Sequence, residues 1–391
     1  MSLKLEIRSK LYLGLLISFL VPATIAGAQT TSDFKTAAKQ GILLDSRSGT
    51  VYFEKNADQL MPPASMSKVM TMLLVFEGLK DGSLRMDDEF TISEDAWRRG
   101  GAPSGSSTMY AKINSRVKLR DLISGVIIQS ANDAAIAIAE GIAGSEEAFA
   151  ERMTKRAHEL GMTKSTFKNA TGLPQEGHQV TARELAHLTR YLIEVFPQYY
   201  EIYSRPNFTW NKIKQGNRNP LLRKYPGADG VKTGHTREAG YGLIGSAKRD
   251  SRRLILVLNG MSSKKQRSQE SIKLMDWGFR RFQKVSLYRS GDKITRVRVW
   301  GGEKSSVQLV AKNDITVRLS KKEKAQAKMS VVFKGPLSAP ISNGQQVGNV
   351  IIKLDGKTIA SAPLITNDSI PEVDNMWSKA LDTVMFQVFG G

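Results

Sequence analysis

The sequence predicts an α+β protein: a mixed domain of helices and strands, then a small all-β module, then one amphipathic helix. Three observations predict it. Helical patterns precede a run of strands after Gly230, and a helix returns after them, an order that implies an α+β rather than a doubly wound domain. Beyond Lys284 the texture changes to short alternating strands with regular turn signals. From Pro371 the apolar residues recur at steps of three and four.

The N-terminus reads as an export signal. Lys4, Arg8 and Lys10 precede an apolar run over 11–21, and Ala26-Gly27-Ala28 offers a small-x-small cleavage site. The run is shorter than the roughly 18 residues of a membrane span, so cleavage near Gln29 is expected rather than anchoring.

Ile42-Leu43-Leu44-Asp45 and Val51-Tyr52-Phe53 read as strands of a hairpin around the turn Ser46-Arg47-Ser48-Gly49. Pro62-Pro63-Ala64-Ser65 opens a helix over 66–79, because proline suits a helix start. One largely buried helix is predicted over 119–142, where alanine, isoleucine and valine recur. Leu185, Leu188 and Leu192 give 181–195 a helical stripe. Antiparallel strands are expected at 231–233, 241–245 and 254–258, and a helix at 266–282. The β-module, 284–370, carries strands near 294–300, 315–319, 329–333, 347–354 and 358–364.

The last helix is expected over 371–391. Val373, Met376, Trp377, Ala380, Leu381, Val384, Met385, Val388 and Phe389 form its apolar stripe, opposite Asp374, Asn375, Ser378, Lys379, Asp382 and Gln387. It is too short and polar to span a bilayer and reads as lying on a membrane surface, the alternative being a helix packed on its own protein or on a partner subunit. Its polar face is acidic on balance, so Lys321, Lys322 and Lys324 of the β-module are the residues expected to attract anionic lipid.

Composition removes several classes of function. The 391 residues contain no cysteine, which excludes thiol catalysis and disulfides, and four scattered histidines make an imidazole metal site an unfavourable reading. The formal charge of +20 is spread along the chain, and no nucleic-acid-binding motif accompanies it. Solvated surface, or contact with anionic lipid or wall polymer, is what the charge implies.

Three short motifs carry chemistry. In Ser65-Met66-Ser67-Lys68 the i, i+3 spacing lets Lys68 reach the Ser65 hydroxyl, a nucleophile that needs a base. Lysine serves as base only when burial or a nearby cation lowers its pKa. The spacing alone carries little, since Ser32/Lys35, Ser115/Lys118, Ser165/Lys168 and Ser262/Lys265 share it, and Ser67 points to another face. Ser130-Ala131-Asn132 interrupts an apolar stretch, so its polar side chains need partners. There Ser130 reads as a proton shuttle and Asn132 as a hydrogen-bonding group for a substrate amide, or the two as a helix cap. In Lys232-Thr233-Gly234, Lys232 and Gly234 share one strand face; the glycine admits a substrate strand and the lysine offers a cation to a carboxylate.

Ser-x-x-Lys, Ser-x-Asn and Lys-Thr-Gly in this order are a known signature of penicillin-binding proteins and serine β-lactamases. Together with Asp229-Gly230-Val231-Lys232-Thr233-Gly234-His235-Thr236, Glu159-Leu160-Gly161-Met162, Asn169-Ala170-Thr171-Gly172-Leu173, Trp277-Gly278-Phe279 and Arg267, they make the chain resemble the low-molecular-mass D-alanyl-D-alanine carboxypeptidases of the peptidase S11 family. The resemblance implies a signal peptide at 1–28, and a β-lactamase/DD-peptidase-like catalytic domain at 29–283. That domain would pair an antiparallel sheet, with helices on both sides, with a helical subdomain. A β-sandwich at 284–370 and a membrane-surface helix at 371–391 would follow.

By resemblance, Ser65 attacks the penultimate D-alanine carbonyl, Lys68 is the base, and Ser130 relays a proton to the leaving amine with support from Lys232. Asn132, Lys232, Thr233, Gly234, His235 and Arg267 bind substrate, Arg267 at the terminal carboxylate, and the N–H groups of Ser65 and His235 hold the oxyanion. The implied partners are the peptidoglycan stem peptide, β-lactams as covalent inhibitors and the periplasmic face of the inner membrane, with no cofactor, metal or nucleic acid. The alternatives are a DD-endopeptidase acting on cross-links, a class A β-lactamase and a non-catalytic wall-binding scaffold. Against the second, no Glu-x-x-Leu-Asn segment is found; against the third, Ser65, Lys68, Ser130 and Lys232 are all retained.

Overall fold

The computed structural model describes residues 5–10, 34–319, 321–335, 337–354 and 356–374. The chain divides at Phe279/Arg280 into two compact units, the second of which includes the N-terminal strand Leu5–Lys10.

The first unit is built on a five-stranded antiparallel sheet. Its strands are β1 (Gln40–Asp45), β2 (Val51–Lys55), β3 (Ala228–Thr236), β4 (Gly240–Arg249) and β5 (Arg252–Met261), in the spatial order β2-β1-β5-β4-β3. The central strands are buried on both faces, and so read in the sequence as continuous apolar runs rather than alternating ones. Ile42, Leu44, Ile255 and Val257 enter the core shared with the helical subdomain. Leu43 and Leu254 face the other way, against Gly278 of the long helix Lys264–Arg281, where a Cβ would lie 2.5 Å from Leu43. Helices therefore cover both sides of the sheet, as expected.

In the subdomain, helix α1 (Lys68–Asp81) is buried nearly all round by Val69, Met70, Met72, Leu73, Val75 and Phe76. The single helix expected over 119–142 is broken. Leu119–Ser124 is α-helical, Gly125–Gln129 widens to π geometry, Ser130 takes a left-handed φ of 66°, and helix α2 restarts at Asn132 and runs to Ala143. The apolar periodicity carried no sign of the break because both halves are equally buried. Helix Glu146–Glu159 and the hairpin of Asn207–Trp210 with Ile213–Gly216 lay outside the sequence reading.

The second unit is a mixed seven-stranded sheet. Val297, Val299, Leu309, Val331, Val350, Ile352 and Leu364 form its core, with Ile315, Val317 and Leu319 buried in it from the two-stranded ribbon of Gln283–Tyr288 and Ile315–Leu319. Leu5–Lys10, read as part of the export signal, pairs in parallel with Lys328–Lys334 at one edge of the seven-stranded sheet. The apolar run and the cleavage site lie outside the described residues.

The helix expected to begin at Pro371 does not begin there. Val373 N–H donates to the Gly301 carbonyl at 2.9 Å and Glu303 N–H to the Pro371 carbonyl at 3.1 Å, so these backbone groups extend the β-unit. The rest of the amphipathic segment lies outside the described residues. Among the described residues no helix is long and apolar enough to cross a membrane.

Candidate active site

Ser65 sits on a single 3₁₀ turn, Ala64–Ser67, that runs directly into α1. Ala64 has a left-handed φ of 46°, and the turn leaves Ser65 partly exposed while Lys68 is fully buried. Lys68 Nζ lies 3.1 Å from Ser65 Oγ, 2.7 Å from Asn132 Oδ1 and against the Thr171 carbonyl oxygen. A neutral amine has two hydrogens and one lone pair. The two oxygens that can only accept, on Asn132 and Thr171, take the hydrogens, which leaves the lone pair for the Ser65 hydroxyl. Burial pulls the Lys68 pKa down to about 7, against the carboxylates of Glu146 and Asp133, which raise it, and with the help of Arg218.

Ser130 projects into the same site from its left-handed break and is 2% exposed. Lys232 Nζ, on edge strand β3, donates to Ser130 Oγ at 2.8 Å and to the Thr233 carbonyl at 3.2 Å. Burial, then the charges of Lys68, Arg218 and Arg267, push the Lys232 pKa well below its ordinary value. A Cβ on Gly234 would lie 3.0 Å from both Met66 Cγ and the Pro63 carbonyl, so glycine lets β3 approach the turn that carries Ser65. Thr233 is buried beside it. His235 is exposed and belongs to a different group: its ring stacks on Tyr241 with centroids 3.9 Å apart, and the Arg267 guanidinium lies 5.7 Å from that Tyr241 ring. Arg267 is 7% exposed, its Nε has no hydrogen-bond partner, and burial lowers its pKa to about 10.

The competing Ser-x-x-Lys pairs are occupied otherwise. Ser165 Oγ donates to Glu184 at 2.6 Å, Ser115 Oγ to the Lys112 carbonyl, and Ser262 Oγ to Gln266, while Ser32 lies outside the described residues. Ser67 Oγ is buried without a partner.

Sequence reasoning missed several groups that hold the site. Asp133, next to Asn132, accepts from Thr108 Oγ1 at 2.6 Å and from the N–H groups of Met109 and Ala111, which fixes the 108–111 segment. Asn132 Nδ2 donates to Ser106 Oγ at 2.9 Å, and Arg218 Nη1 to Ser107 Oγ at 2.5 Å. Thr171 acts through its backbone carbonyl, which no side-chain motif reveals. The signal was the adjoining glycine: Gly172 has φ +77°, and a Cβ there would lie 1.9 Å from the Ala64 carbonyl.

A serine beside a buried lysine amine, a second serine–lysine pair and a lysine-bearing edge strand are the features of a penicillin-binding serine hydrolase on a DD-peptidase fold. Residues 27–263 match the D-alanyl-D-alanine carboxypeptidase family model, and 282–372 match the penicillin-binding protein 5 C-terminal domain. The chain belongs to the peptidase S11 family of D-alanyl-D-alanine carboxypeptidases. It is 40% identical to D-alanyl-D-alanine carboxypeptidase DacC of Escherichia coli over 369 residues, 94% of this chain and 92% of that protein. Penicillin-binding protein 5 of Haemophilus influenzae aligns at a TM-score of 0.69 and 38% identity, covering 87% of this chain and 99% of that one. Penicillin-binding protein D2 of Listeria monocytogenes, solved in an ampicillin-bound form, aligns at 0.55 and 32% identity, over 64% of this chain and 100% of that one.

Proposed function

We propose that the chain removes the terminal D-alanine from peptidoglycan pentapeptide stems through an acyl-enzyme on Ser65. The observation that carries this reading is the pairing of a buried, near-neutral Lys68 with Ser65 beside a second buried pair, Lys232 and Ser130.

Lys68 takes the Ser65 proton as Oγ attacks the penultimate D-alanine carbonyl. The intermediate collapses with cleavage of the C–N bond; the Ser130 hydroxyl passes its proton to the leaving amine and takes up the one held by Lys68, while Lys232 holds Ser130 in place, so both groups end as they began. Water then attacks the ester carbonyl, giving up a proton to the neutral Lys68 amine; as the ester C–O bond breaks, Lys68 returns that proton to Ser65 Oγ and the shortened stem leaves as its carboxylate. Strand β3 is an edge strand, so an extended peptide can add to it as a sixth strand. Asn132 and the backbone around Thr233 to His235 line that path. Arg218 and Arg267 bring positive charge to bear on Lys232 and Arg218 on Arg267, and a terminal carboxylate met by Arg267 relieves it. A β-lactam enters by the same attack, but its leaving amine stays tethered and the ester persists.

We assign 1–28 to an export signal and the enzyme to the periplasm. The segment up to 391 would hold it peripherally on the inner membrane. Incubation with a pentapeptide, and separately with a cross-linked dimer, tests the reading. Release of free D-alanine from the pentapeptide supports it, and cleavage of the dimer alone overturns it in favour of an endopeptidase.

A further inference from the structure

The face of Lys68 turned away from Ser65 is held by a chain of contacts that the reaction scheme does not use. Helix Glu146–Glu159 places Glu146, 4% exposed, at its first position. Its Oε1 accepts the Ala170 N–H at 2.9 Å, and its Oε2 accepts from Arg99 Nη2 at 2.8 Å. The next residue, Thr171, supplies the carbonyl that receives a Lys68 hydrogen. Thr71 Oγ1, on α1 itself, donates to the Ala170 carbonyl at 2.8 Å and closes the loop onto the helix that bears the base.

Arg99 lies in the last turn of a short π-helical segment, Ala96–Gly100, wedged against the second motif: a Cβ on Gly100 would lie 2.3 Å from the Asp133 nitrogen. The Arg99–Glu146 pair thus joins the wall behind Asn132 to the loop behind Thr171, and both of those residues accept from Lys68.

We propose that Arg99 and Glu146 form a positioning pair that sets the pH threshold of acylation by holding the Thr171 carbonyl and a buried carboxylate beside Lys68. This rests on Lys68 being the base. Several charged groups face Lys68: Glu146 and Asp133 favour its ammonium form, while Arg218 opposes it. Lys232 and His178, whose pKa values are lowered first by burial and then by the charge of Lys68, also face it, and the uncharged neighbours are Ser65, Asn132 and Thr171. Glu146 is in turn faced by Arg99, whose Nη1 also donates to Asp95 Oδ2 at 2.8 Å, and the Glu140 carboxyl feels the charges of Asp95, Glu146 and Arg99. A carboxylate raises the pKa of a nearby amine, and its paired cation offsets that influence. Removing either partner should therefore move the threshold in opposite directions, which a merely structural ion pair would not do.

The test is the acylation rate with a fluorescent penicillin from pH 5 to 9, measured on the whole chain. Glu146→Gln should shift the acidic midpoint down by about half a pH unit or more, and Arg99→Gln should shift it up by a similar amount. Arg99→Lys, which keeps the charge, should leave it near that of the parent. Midpoints that stay fixed, or move the same way in both neutral variants, overturn the proposal. If Glu146→Gln fails to fold, Arg99→Gln against Arg99→Lys decides alone. A parent enzyme with no acidic midpoint would instead overturn the assignment of Lys68 as base.

Discussion

Lys232 Nζ donates to Ser130 Oγ at 2.8 Å although 102 residues separate them. The contact exists because Ser130 breaks its helix into a left-handed turn and because β3 is the edge strand next to that turn. It leaves Ser130 with its own hydrogen free to give away. Ser130→Ala should therefore slow peptide cleavage by ~10²–10⁴-fold, the usual weight of a proton-transfer group. A thioester substrate, whose leaving group needs no proton, should lose much less. Equal losses on both substrates in steady-state assays would remove Ser130 from the relay.

Ser65→Ala should abolish both D-alanine release and covalent penicillin labelling, with activity down by at least ~10³-fold. The side chain is small and partly exposed, so thermal unfolding should stay within a few degrees of the parent, about the effect of a minor surface change. A penicillin adduct on the variant by mass spectrometry would assign the nucleophile elsewhere.

Acylation should lose rate in acid. Lys68 must be neutral to take the proton, and burial sets its pKa at about 7. Above that value most of the enzyme carries the free base; below it the competent fraction falls roughly tenfold per pH unit. Stopped-flow acylation should show that limb, and a flat rate from pH 5 to 9 would exclude Lys68 as base.

Arg267 should act on the substrate carboxylate alone. Its buried guanidinium has an Nε without a partner, and loss of one member of such a pair costs ~2–5 kcal/mol. Arg267→Leu should lower kcat/KM by ~30-fold or more for a peptide with a free C-terminus. Amidating the peptide should cost the parent a similar factor and the variant little more. Additive losses would mean that the two groups do not meet.

The alternation of helical and strand patterns, and the three motifs, were legible because each is written in side chains at fixed spacing. Ser65 and Lys68 needed only a helix to meet, and Lys232 only a strand. The break at Ser130 was legible only through its polar triplet, as the helix-cap alternative: Val126, Ile127 and Ile128 before it and Ala134, Ile136 and Ile138 after it are all buried, so hydrophobic period gave no boundary. Thr171, Asp133 and Glu146 were missed for a different reason. Thr171 acts through its backbone carbonyl, and the carboxylates of Asp133 and Glu146 take hydrogen bonds from segments that only tertiary packing brings near them.

The last prediction concerns where the chain can be cut. The apolar stripe from Val373 to Phe389 matches a helix lying in a membrane surface, but its first residues are committed elsewhere. Pro371 and Val373 hydrogen-bond to Glu303 and Gly301, and Ile370, 1% exposed, is part of the β-unit core. If the stripe is the anchor, truncation after Asp374 should remove all of it but Val373 and leave those contacts intact, so active enzyme should move from the membrane fraction to the soluble periplasmic fraction. Truncation before Pro371 should do the same and also destabilise the β-unit, by ~1–3 kcal/mol for the lost pairing. Fractionation with penicillin labelling, and urea unfolding of the two truncated proteins, separates the effects. If the protein ending at Asp374 still sediments with membranes, the anchor lies elsewhere, and the basic surface of the β-unit becomes the place to look.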